Sequence, residues 1–366
     1  MDREGNVPAV SVIMPVYNAA EFLNESLGSL FAQTFDDFEV ICVDDGSTDA
    51  SLSILREYAG KRDRFTVLQQ DHAYAGAARN LGLSQALGKY LLFLDADDRF
   101  LPKMLEFAIG RAEETNADIC VFAAEAFDHR SGKVFPLTGA CSPGPNQQGV
   151  FSRLDDPDHI FSFTHPAPWN KLFRRAFVLE NGLEFQNTRS VNDLAFVLTA
   201  LAAAERITTV STPLLQYRKN NSSSLQGSQQ KEPAAFYEAL REFRRRLDER
   251  GLLEPLKKAF INQAASDTFY NLSTLRQTVP FEKTYFFIRD VVLDEMELTG
   301  HPDDFFYVLP DWEIPERIRT MREKSILDYV VRFKADLPEL RREYLKNSSI
   351  KEDAKRILER FRPDQP

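Results

Sequence analysis

The chain has 366 residues, of which 43% are hydrophobic and 27% charged, a composition typical of a folded globular protein rather than a disordered one. Its formal net charge of -10 argues against a nucleic-acid partner, because such proteins need a basic surface to neutralise phosphates. There is no apolar run of membrane-spanning length, no apolar leader and no disulfide-like cysteine spacing, so we expect a cytoplasmic protein, with peripheral contact at the inner face of a membrane left open.

The first third of the sequence alternates between strand and helix patterns. Short apolar runs predict five strands, over Val10–Met14, Phe38–Val43, Phe65–Leu68, Tyr90–Leu94 and Ile119–Ala123. Helical spacing or helix-end residues predict four helices between these strands. They cover residues 22–31, the segment that begins after the capping residue Asp49, Ala77–Leu87, and Pro102–Thr115. This order predicts βαβ units in an α/β fold, with a mostly parallel sheet flanked by helices.

The rest of the chain is less regular. The Gly-, Pro-, Gln- and Asp-rich composition of residues 130–158 predicts a long surface loop. The patterns over Trp169–Leu172 and Leu194–Ala204 predict further helical structure joined to the first part. Residues 220–230 have the composition of a linker, and the segment after it is mainly helical by pattern. We therefore expect one domain over residues 1–225 and a mainly helical region of unknown role over residues 231–366.

An acidic tetrapeptide, Asp95-Ala96-Asp97-Asp98, directly follows the fourth predicted strand. Parallel sheets bind ligands at the carboxyl ends of their strands, which is where these carboxylates lie. Crowded carboxylates repel one another unless a cation joins them, and hard cations such as Mg²⁺ or Mn²⁺ take oxygen ligands. The alternative is a solvated turn with helix-capping aspartates.

Three other segments follow predicted strands or open a helix. Asp44 and Asp45 come after the second strand, where a carboxylate could accept hydrogen bonds from a base or a ribose. Tyr17, in the segment Pro15-Val16-Tyr17-Asn18, offers a ring for base stacking, and Asn18 could cap the next helix. Arg79 lies in the first turns of a helix and could reach a pyrophosphate. Each feature taken alone is also compatible with an ordinary loop, cap or surface ion pair.

Together these segments resemble glycosyltransferase family 2, whose catalytic domain has the GT-A fold. The matching stretches are Val10–Asn18 (VSVIMPVYN), Phe38–Asp49 (FEVICVDDGSTD), Ala77–Gly82 (AARNLG) and Tyr90–Asp98 (YLLFLDADD). The resemblance covers about residues 9–125 strongly and about 168–218 more weakly. It implies a nucleotide-sugar half over about 9–125 and an acceptor half over about 126–225.

The resemblance implies an inverting transfer of a sugar from a nucleotide donor, usually UDP-linked, to a hydroxyl of a glycan or glycolipid acceptor. Asp193 would be the catalytic base, and a divalent metal, Mn²⁺ or Mg²⁺, would be held by Asp97 and Asp98. The acceptor side would contain Trp169, Asn170 and Lys171. The implied donor-binding residues are Pro15, Val16, Tyr17, Asn18, Asp44, Asp45, Arg79, Asp95, Ala96 and Asp97.

Two departures from the family pattern keep a second hypothesis open. The usual Glu before the base is Asn192, and a position that often holds Gly is Tyr74. A non-catalytic nucleotide-sugar-binding or scaffold subunit is therefore the alternative. A dinucleotide enzyme, a P-loop NTPase and a zinc enzyme are disfavoured, because the sequence lacks their glycine loops and ligand spacing. The transferred sugar, the acceptor and the oligomeric state are not specified by these patterns.

Overall fold

The structure is a computed structural model that describes residues 7–142, 145, 149–219, 232, 234–307, 313–334 and 342. Its described residues form two compact units. The first contains the described residues up to 219 together with residues 239–259, and it holds every described strand. The second contains described residues from 232 to 238 and from 260 onward, and its described elements are helical.

The first unit is built on one mixed sheet. Its strands are β1 (Val10–Val16), β2 (Phe38–Asp44), β3 (Phe65–Gln69), β4 (Tyr90–Phe93), β5 (Arg99–Phe100), β6 (Ile119–Asp128), β7 (Val134–Pro136), β8 (Lys171–Arg174) and β9 (Ile207–Lys219). Their order in the sheet is β3-β2-β1-β4-β8-β6-β9-β5, and β7 pairs with β6. Neighbours among β3, β2, β1 and β4 are parallel, β8 is antiparallel to both of its neighbours, and β6 is parallel to β9.

Helices flank this sheet, and the described elements of the second unit are also helical. The first seven are α1 (Ala20–Leu30), α2 (Ser51–Ala59), α3 (Tyr74–Gln85), α4 (Met104–Thr115), α5 (Arg175–Glu180), α6 (Leu194–Ala203) and α7 (Ala235–Glu249). The others are α8 (Lys257–Thr274), α9 (Thr278–Phe287), a π-helical turn (Ile288–Val292), α10 (Leu293–Glu295), a 3₁₀ turn (Asp303–Phe305), α11 (Ile314–Glu323) and α12 (Ile326–Phe333). None of the described helices is long and apolar enough to cross a membrane.

The central strands are almost wholly buried. Val10, Val12 and Met14 of β1 and Leu92 of β4 have no exposed surface and belong to one core cluster that also contains Leu23 of α1. Near-continuous apolar runs are expected of strands that are covered on both faces, as the sequence pattern predicted. The predicted α/β sheet with flanking helices and a helical C-terminal region is confirmed.

One predicted element is wrong. Trp169–Leu172 was expected to be helical, but Lys171–Arg174 is strand β8. It fills the space between β4 and β6, with Leu91 opposite Phe173 on one side and Cys120 opposite Leu172 on the other. Because both neighbouring strands supply backbone partners, this four-residue segment is a strand, which so short a segment does not reveal by itself.

Other boundaries differ by a few residues. Helix α3 begins at Tyr74 rather than Ala77, and α4 begins at Met104, two residues after Pro102. Residues 130–158, predicted as a surface loop, contain the short strand β7 and are described only in part. The predicted linker, residues 220–230, lies outside the described residues. Arg245 on α7 pairs with Glu242 and Glu249, as expected of a solvated helix face.

Candidate functional site

The carboxyl ends of four parallel strands form one edge of the sheet. Val16 at the end of β1 is opposite Asp44 at the end of β2, and Asp44 is opposite Gln69 at the end of β3. Leu94, just after β4, donates its backbone N–H to the carbonyl of Ile13 in β1. The loops that follow these strands therefore emerge side by side, as the sequence predicted.

Two of these loops are tied together by side chains. Thr48 N–H donates to Asn18 Oδ1 at 2.7 Å, and Asn18 N–H donates to Ser47 Oγ at 3.0 Å. Asp49 accepts the N–H of Ala20 at 3.0 Å. Asn18 therefore does not cap the helix after it, which corrects that prediction. Asp49 also accepts the N–H of Ser51, the first residue of α2, at 2.9 Å, so it supports the start of that helix as predicted and links it to the start of α1.

Asp45 is buried beneath the loop that leads into α3. One of its carboxylate oxygens accepts hydrogen bonds from Gln70 Nε2 and Ala73 N–H, both at 2.7 Å. The other accepts from Tyr74 N–H at 2.9 Å and lies 2.9 Å from His72 Nδ1. A carboxylate has about four acceptor positions, so the protein itself fills those of Asp45. The side chain predicted to contact a base directly has no free acceptor in this arrangement.

The neighbouring Asp44 differs from Asp45. It is also buried, but its Oδ1 has no hydrogen-bond partner among the described residues, and Oδ2 accepts only a long bond of 3.4 Å from Ser47 N–H. Buried polar atoms are normally paired, so an orphaned oxygen at a strand end marks a place where a ligand donor could bind. Of the other predicted donor-loop residues, Val16 is buried and Pro15 is partly buried.

An aromatic cluster covers this end of the sheet. Tyr17 is 46% exposed, and its ring stacks on that of His72 at a centroid distance of 4.1 Å and an interplanar angle of 25°. Tyr74 meets the His72 ring edge-on at 4.6 Å. Tyr17 is accessible as predicted, whereas His72 is a single histidine in a loop and no sequence motif points to it. Tyr74 occupies the left-handed region with φ +70°, which its family counterpart, often Gly, adopts without strain.

Arg79 connects two loops that are far apart in the sequence. Its guanidinium donates to Asp95 Oδ1 at 2.8 Å and to Asn192 Oδ1 at 2.9 Å, and the side chain is almost entirely buried. Its Nε has no partner among the described residues. Arg79 therefore places the acidic loop after β4 next to the segment that carries Asp193.

The acidic loop is anchored by an arginine from the distant strand β9. Arg218, near the end of β9, donates its backbone N–H to Asp98 Oδ1 at 2.8 Å and its Nε–H to the carbonyl of Asp97. Its guanidinium lies over the rings of Phe22 and Phe127, at 4.7 and 4.4 Å from the ring centroids. Arg218 is thus a positioning residue for this loop. No sequence motif had drawn attention to it.

The carboxylates of the loop occupy different environments. Asp95 and Asp97 are partly exposed, whereas Ala96 and Asp98 are buried. Burial, reinforced by the nearby charges of Asp97 and Asp95, raises the pKa of Asp98 well above its usual value. Asp98 Oδ2 has no partner among the described residues.

Carboxylate oxygens are the donor type that Mg²⁺ and Mn²⁺ prefer, so the chemistry of the loop suits such an ion. Within the described part of the chain, no group of three or more His, Cys, Asp or Glu side chains is arranged to hold a metal. This is compatible with a Mg²⁺ site in which one or two protein carboxylates are completed by substrate phosphates. The orphaned oxygen of Asp98 is the observation in favour of a cation at this place.

Asp193 is the N-cap residue of α6, but its carboxylate does not cap that helix. Burial raises the pKa of Asp193, and the nearby Asp95 adds to this effect. Arg79 and Lys171 oppose it. A carboxyl group whose pKa is raised toward neutrality is better matched to accepting a proton than an ordinary solvent-exposed aspartate.

The three predicted acceptor-side residues lie in the interior. Trp169 is 6% exposed and its ring stacks on Tyr217 at 5.5 Å, while Asn170 and Lys171 are fully buried. Burial lowers the pKa of Lys171 to about 7. Its ammonium lies 2.7–3.0 Å from four oxygen atoms, those of Thr164 Oγ1, His165 O, Ala167 O and Asn170 Oδ1. Lys171 therefore holds the 164–170 loop together, and its ammonium is not free to contact a substrate on the acceptor side, where the resemblance had placed it.

Comparisons with known proteins agree with this architecture. The family model "Glycosyl transferase family 2" matches residues 11–180. EpsH of Bacillus subtilis (strain 168), whose name places it among the glycosyltransferases, is 34% identical over 258 residues, which are 69% of this chain and 72% of EpsH. EpsJ of the same organism, an uncharacterized glycosyltransferase, is 31% identical over 59% of this chain and 63% of its own length.

A solved structure of residues 1–349 of Staphylococcus aureus TarS in complex with UDP has a similar fold. The TM-score is 0.59 at 24% identity, with 93% of this chain and 92% of that chain covered. At this identity the likeness concerns the fold alone. The motif-based resemblance and the predicted GT-A architecture are both confirmed.

Proposed function

This chain belongs to glycosyltransferase family 2, and we propose that it transfers a sugar from a UDP-linked donor to a hydroxyl of a glycan or glycolipid acceptor, with inversion at the anomeric carbon. The observation that carries the proposal is the position of Arg79, which holds Asp95 of the acidic loop and Asn192 beside Asp193 with one guanidinium. We propose residues 1–225 as the catalytic domain, with a donor half over about 9–125. The biological setting that fits is polysaccharide or glycoconjugate assembly.

In the proposed reaction Asp193 is the general base. Its carboxylate takes the proton of the acceptor hydroxyl as that oxygen bonds to the anomeric carbon, and the bond from this carbon to the diphosphate oxygen breaks with its electron pair leaving on the diphosphate. General-base catalysis of this kind contributes about 10²–10⁴-fold to the rate. The raised pKa of Asp193 supports the assignment.

Arg79 would face the negative charge that grows on the departing diphosphate, since it is the buried cation between the two loops. Asp97 and Asp98 would hold a divalent cation, Mn²⁺ or Mg²⁺. When bound, this ion would neutralise charge on the diphosphate. Tyr17 would stack on the base, and Asp44 has a free acceptor for the nucleoside. Trp169, Asn170 and Lys171 would support the acceptor side from the interior rather than by contact.

The test has a binding arm and a turnover arm. We expect UDP and UDP-sugars to raise the melting temperature of the protein, and to do so more strongly with Mn²⁺. A ligand present at about 100 times its Kd adds roughly 2.7 kcal/mol. Asp97→Ala should lose the metal-dependent part, and the exposed-site control Asp63→Asn should not.

In the turnover arm, the best-stabilising UDP-sugar is offered with a panel of glycan acceptors. Asp193→Asn should reduce transfer by at least about 10²-fold while leaving UDP binding intact. Wild-type protein that binds UDP-sugars but equals Asp193→Asn with every acceptor would support the alternative, a non-catalytic binding or scaffold subunit. Protein that no nucleotide stabilises would contradict the donor site itself.

A further inference from the structure

The segment over residues 181–193 joins α5 to α6 and ends at Asp193. The family match stops at residue 180, so this segment lies beyond it. All of its residues are described, and none of them is in a helix or a strand. An irregular segment that presents a side chain accurately has to be held by neighbouring elements, because it has no regular backbone hydrogen-bond pattern of its own.

Helix α3 holds the middle of this segment. Asn80 donates to the backbone carbonyl of Phe185 and accepts the backbone N–H of the same residue, both at 2.9 Å. The next residue, Gln186, donates its backbone N–H to the carbonyl oxygen of Asn192 at 3.1 Å. A shift of the chain at residue 185 is therefore passed on to Asn192 and to its neighbour Asp193.

Helix α7 holds the beginning of the same segment, through residues that belong with it to the first unit. Arg246 donates from Nη1 to the backbone carbonyl of Glu184 at 2.9 Å. One turn later, Arg250 donates from Nη2 to the backbone carbonyl of Asn181 at 2.8 Å. Arg246 is oriented by Glu242, which accepts from its Nε at 2.7 Å, and only 12% of its side chain is exposed. Charged donors make stronger hydrogen bonds than neutral ones, so these two contacts fix the path of the chain just before residue 185.

The two arginines are not what keeps α7 in place. Phe243 and Leu247 of this helix have no exposed surface, and the Phe243 ring meets that of Phe161 edge-on at 5.2 Å. Most of the stability of a helix in a protein comes from packing of its apolar face. Loss of the guanidinium groups would therefore leave the helix docked and release the backbone of residues 181–184.

We propose that Arg246 and Arg250 are positioning residues for the catalytic base Asp193, and that α7 is thereby required for efficient transfer. This inference rests on the proposed function. It places two functional residues beyond the family match and beyond the boundary at residue 225 proposed for the catalytic domain. A general base must lie within hydrogen-bond reach of the acceptor hydroxyl, and a displacement of about 1 Å can cost about 10²-fold in rate. Among the described residues, the hydrogen bonds of these arginines outside α7 reach only residues 181 and 184, so nucleotide binding should be spared.

The experiment uses the full chain with the donor and acceptor identified in the turnover assay. Arg246→Met and Arg250→Met are combined, because methionine keeps a long unbranched side chain but cannot donate. The value of kcat should fall about 10–100-fold, while the Kd for UDP with Mn²⁺, measured by calorimetry, stays within about twofold of wild type. Arg245→Met is the matched control, since Arg245 is 54% exposed and pairs with Glu242 and Glu249 of its own helix. Its kcat should stay within about twofold of wild type.

A second background separates positioning of the base from general damage. Arginines that act through Asp193 lose their effect once the base has been removed. In Asp193→Asn, adding Arg246→Met and Arg250→Met should therefore lower the remaining rate by less than about threefold, whereas independent effects would multiply.

Three results would overturn this inference and leave the proposed function in place. They are an unchanged kcat in the folded double variant, the same fold loss with and without Asp193→Asn, and a loss of rate matched by an equal weakening of UDP binding. If melting curves show that the double variant does not fold, Arg250→Met alone is judged by the same three criteria. Wild-type protein that binds UDP-sugars but transfers to no acceptor would instead overturn the proposed function, and the positioning role with it.

Discussion

The guanidinium of Arg79 donates a hydrogen bond of 2.9 Å to the side-chain oxygen of Asn192. Asn192 stands where the family usually has Glu, and its amide is neutral. Arg79 is therefore shared between one carboxylate, Asp95, and one uncharged acceptor. The positive charge of Arg79 is less neutralised by the protein than it would be with a carboxylate on each side.

In a plot of log kcat/KM against pH, Asn192→Asp should shift the acidic limb to higher pH by about one pH unit. A new carboxylate beside Asp193 disfavours its ionised form, and about 1.4 kcal/mol of repulsion corresponds to one pH unit. The measurement is the pH profile of transfer with a saturating acceptor. Asn192→Ala is the control, since it removes the bond to Arg79 without adding charge and should raise the donor KM while leaving the limb in place. An unchanged limb in Asn192→Asp would argue against Asp193 as the base.

Gly76→Ala should destabilise the protein by about 1–3 kcal/mol and impair transfer. A Cβ at this position would lie 1.9 Å from the carbonyl oxygen of Gln186, so α3 would be pushed away from the 186–192 loop. Gly28→Ala is the matched control, because it is also helical and has nothing within 4 Å. It should stabilise the protein by up to about 1 kcal/mol. Melting curves compare the two, and equal effects would disprove the close contact.

Arg218→Met should cost about 2–4 kcal/mol and abolish metal-dependent UDP binding. The buried guanidinium donates to the Asp97 carbonyl and pairs with Glu25, so its loss removes the contacts that join the acidic loop to α1 through β9, although Arg99 still pairs with Glu25. Arg99→Met is the control, since Arg99 also pairs with Glu25 but is 35% exposed, and it should cost no more than about 1 kcal/mol. Denaturant unfolding and UDP titration provide the two readouts. Intact metal-dependent binding in Arg218→Met would remove its positioning role.

Asp193→Asn should become more stable relative to wild type as the pH rises. The folded-state pKa of Asp193 is raised, so its ionised form costs stability above the folded pKa, and this cost vanishes below the unfolded value of about 3.9. Asparagine carries no charge and avoids the cost. Urea melts at pH 4, 6 and 8 without ligand should show the difference in unfolding free energy growing with pH, by about 1.4 kcal/mol for each tenfold change in proton affinity. A constant difference would contradict the raised pKa.

The parallel half of the fold was predictable because its strands are apolar on both faces and alternate with helical patterns. In the other half only β6 was predicted, through the apolar segment Ile119–Ala123. Lys171–Arg174 is a strand only because β4 and β6 lie on either side of it, and no local pattern contains that information. Lys171 shows the same limit, since the resemblance places it on the acceptor side, whereas its ammonium is enclosed by oxygens of one loop.

The candidate site was predictable where its residues follow strands, as Tyr17, Asp44 and Asp95 do. Residues that support them from other segments were not. Arg218 is about 120 positions from the loop that it anchors, and His72 is a lone loop residue whose partner, Asp45, is fixed by the fold. The hydrogen bonds that fill the acceptor positions of Asp45 likewise come from donors that only the three-dimensional arrangement brings together.

The hydrogen bonds of Asp45 and Asp49 also determine where a phosphate can be accommodated. A free helix N-terminus attracts anions because its N–H groups and its macrodipole are positive. Here Ala73 and Tyr74 at the start of α3 donate to Asp45, and Ala20 at the start of α1 donates to Asp49. The start of α2 is similar, since Ser51 also donates to Asp49, so these three helix termini already carry an anion supplied by the protein itself. A diphosphate at this edge therefore depends on side-chain cations or a bound ion for neutralisation, and to the extent that the ion supplies it, binding should weaken with added chelator.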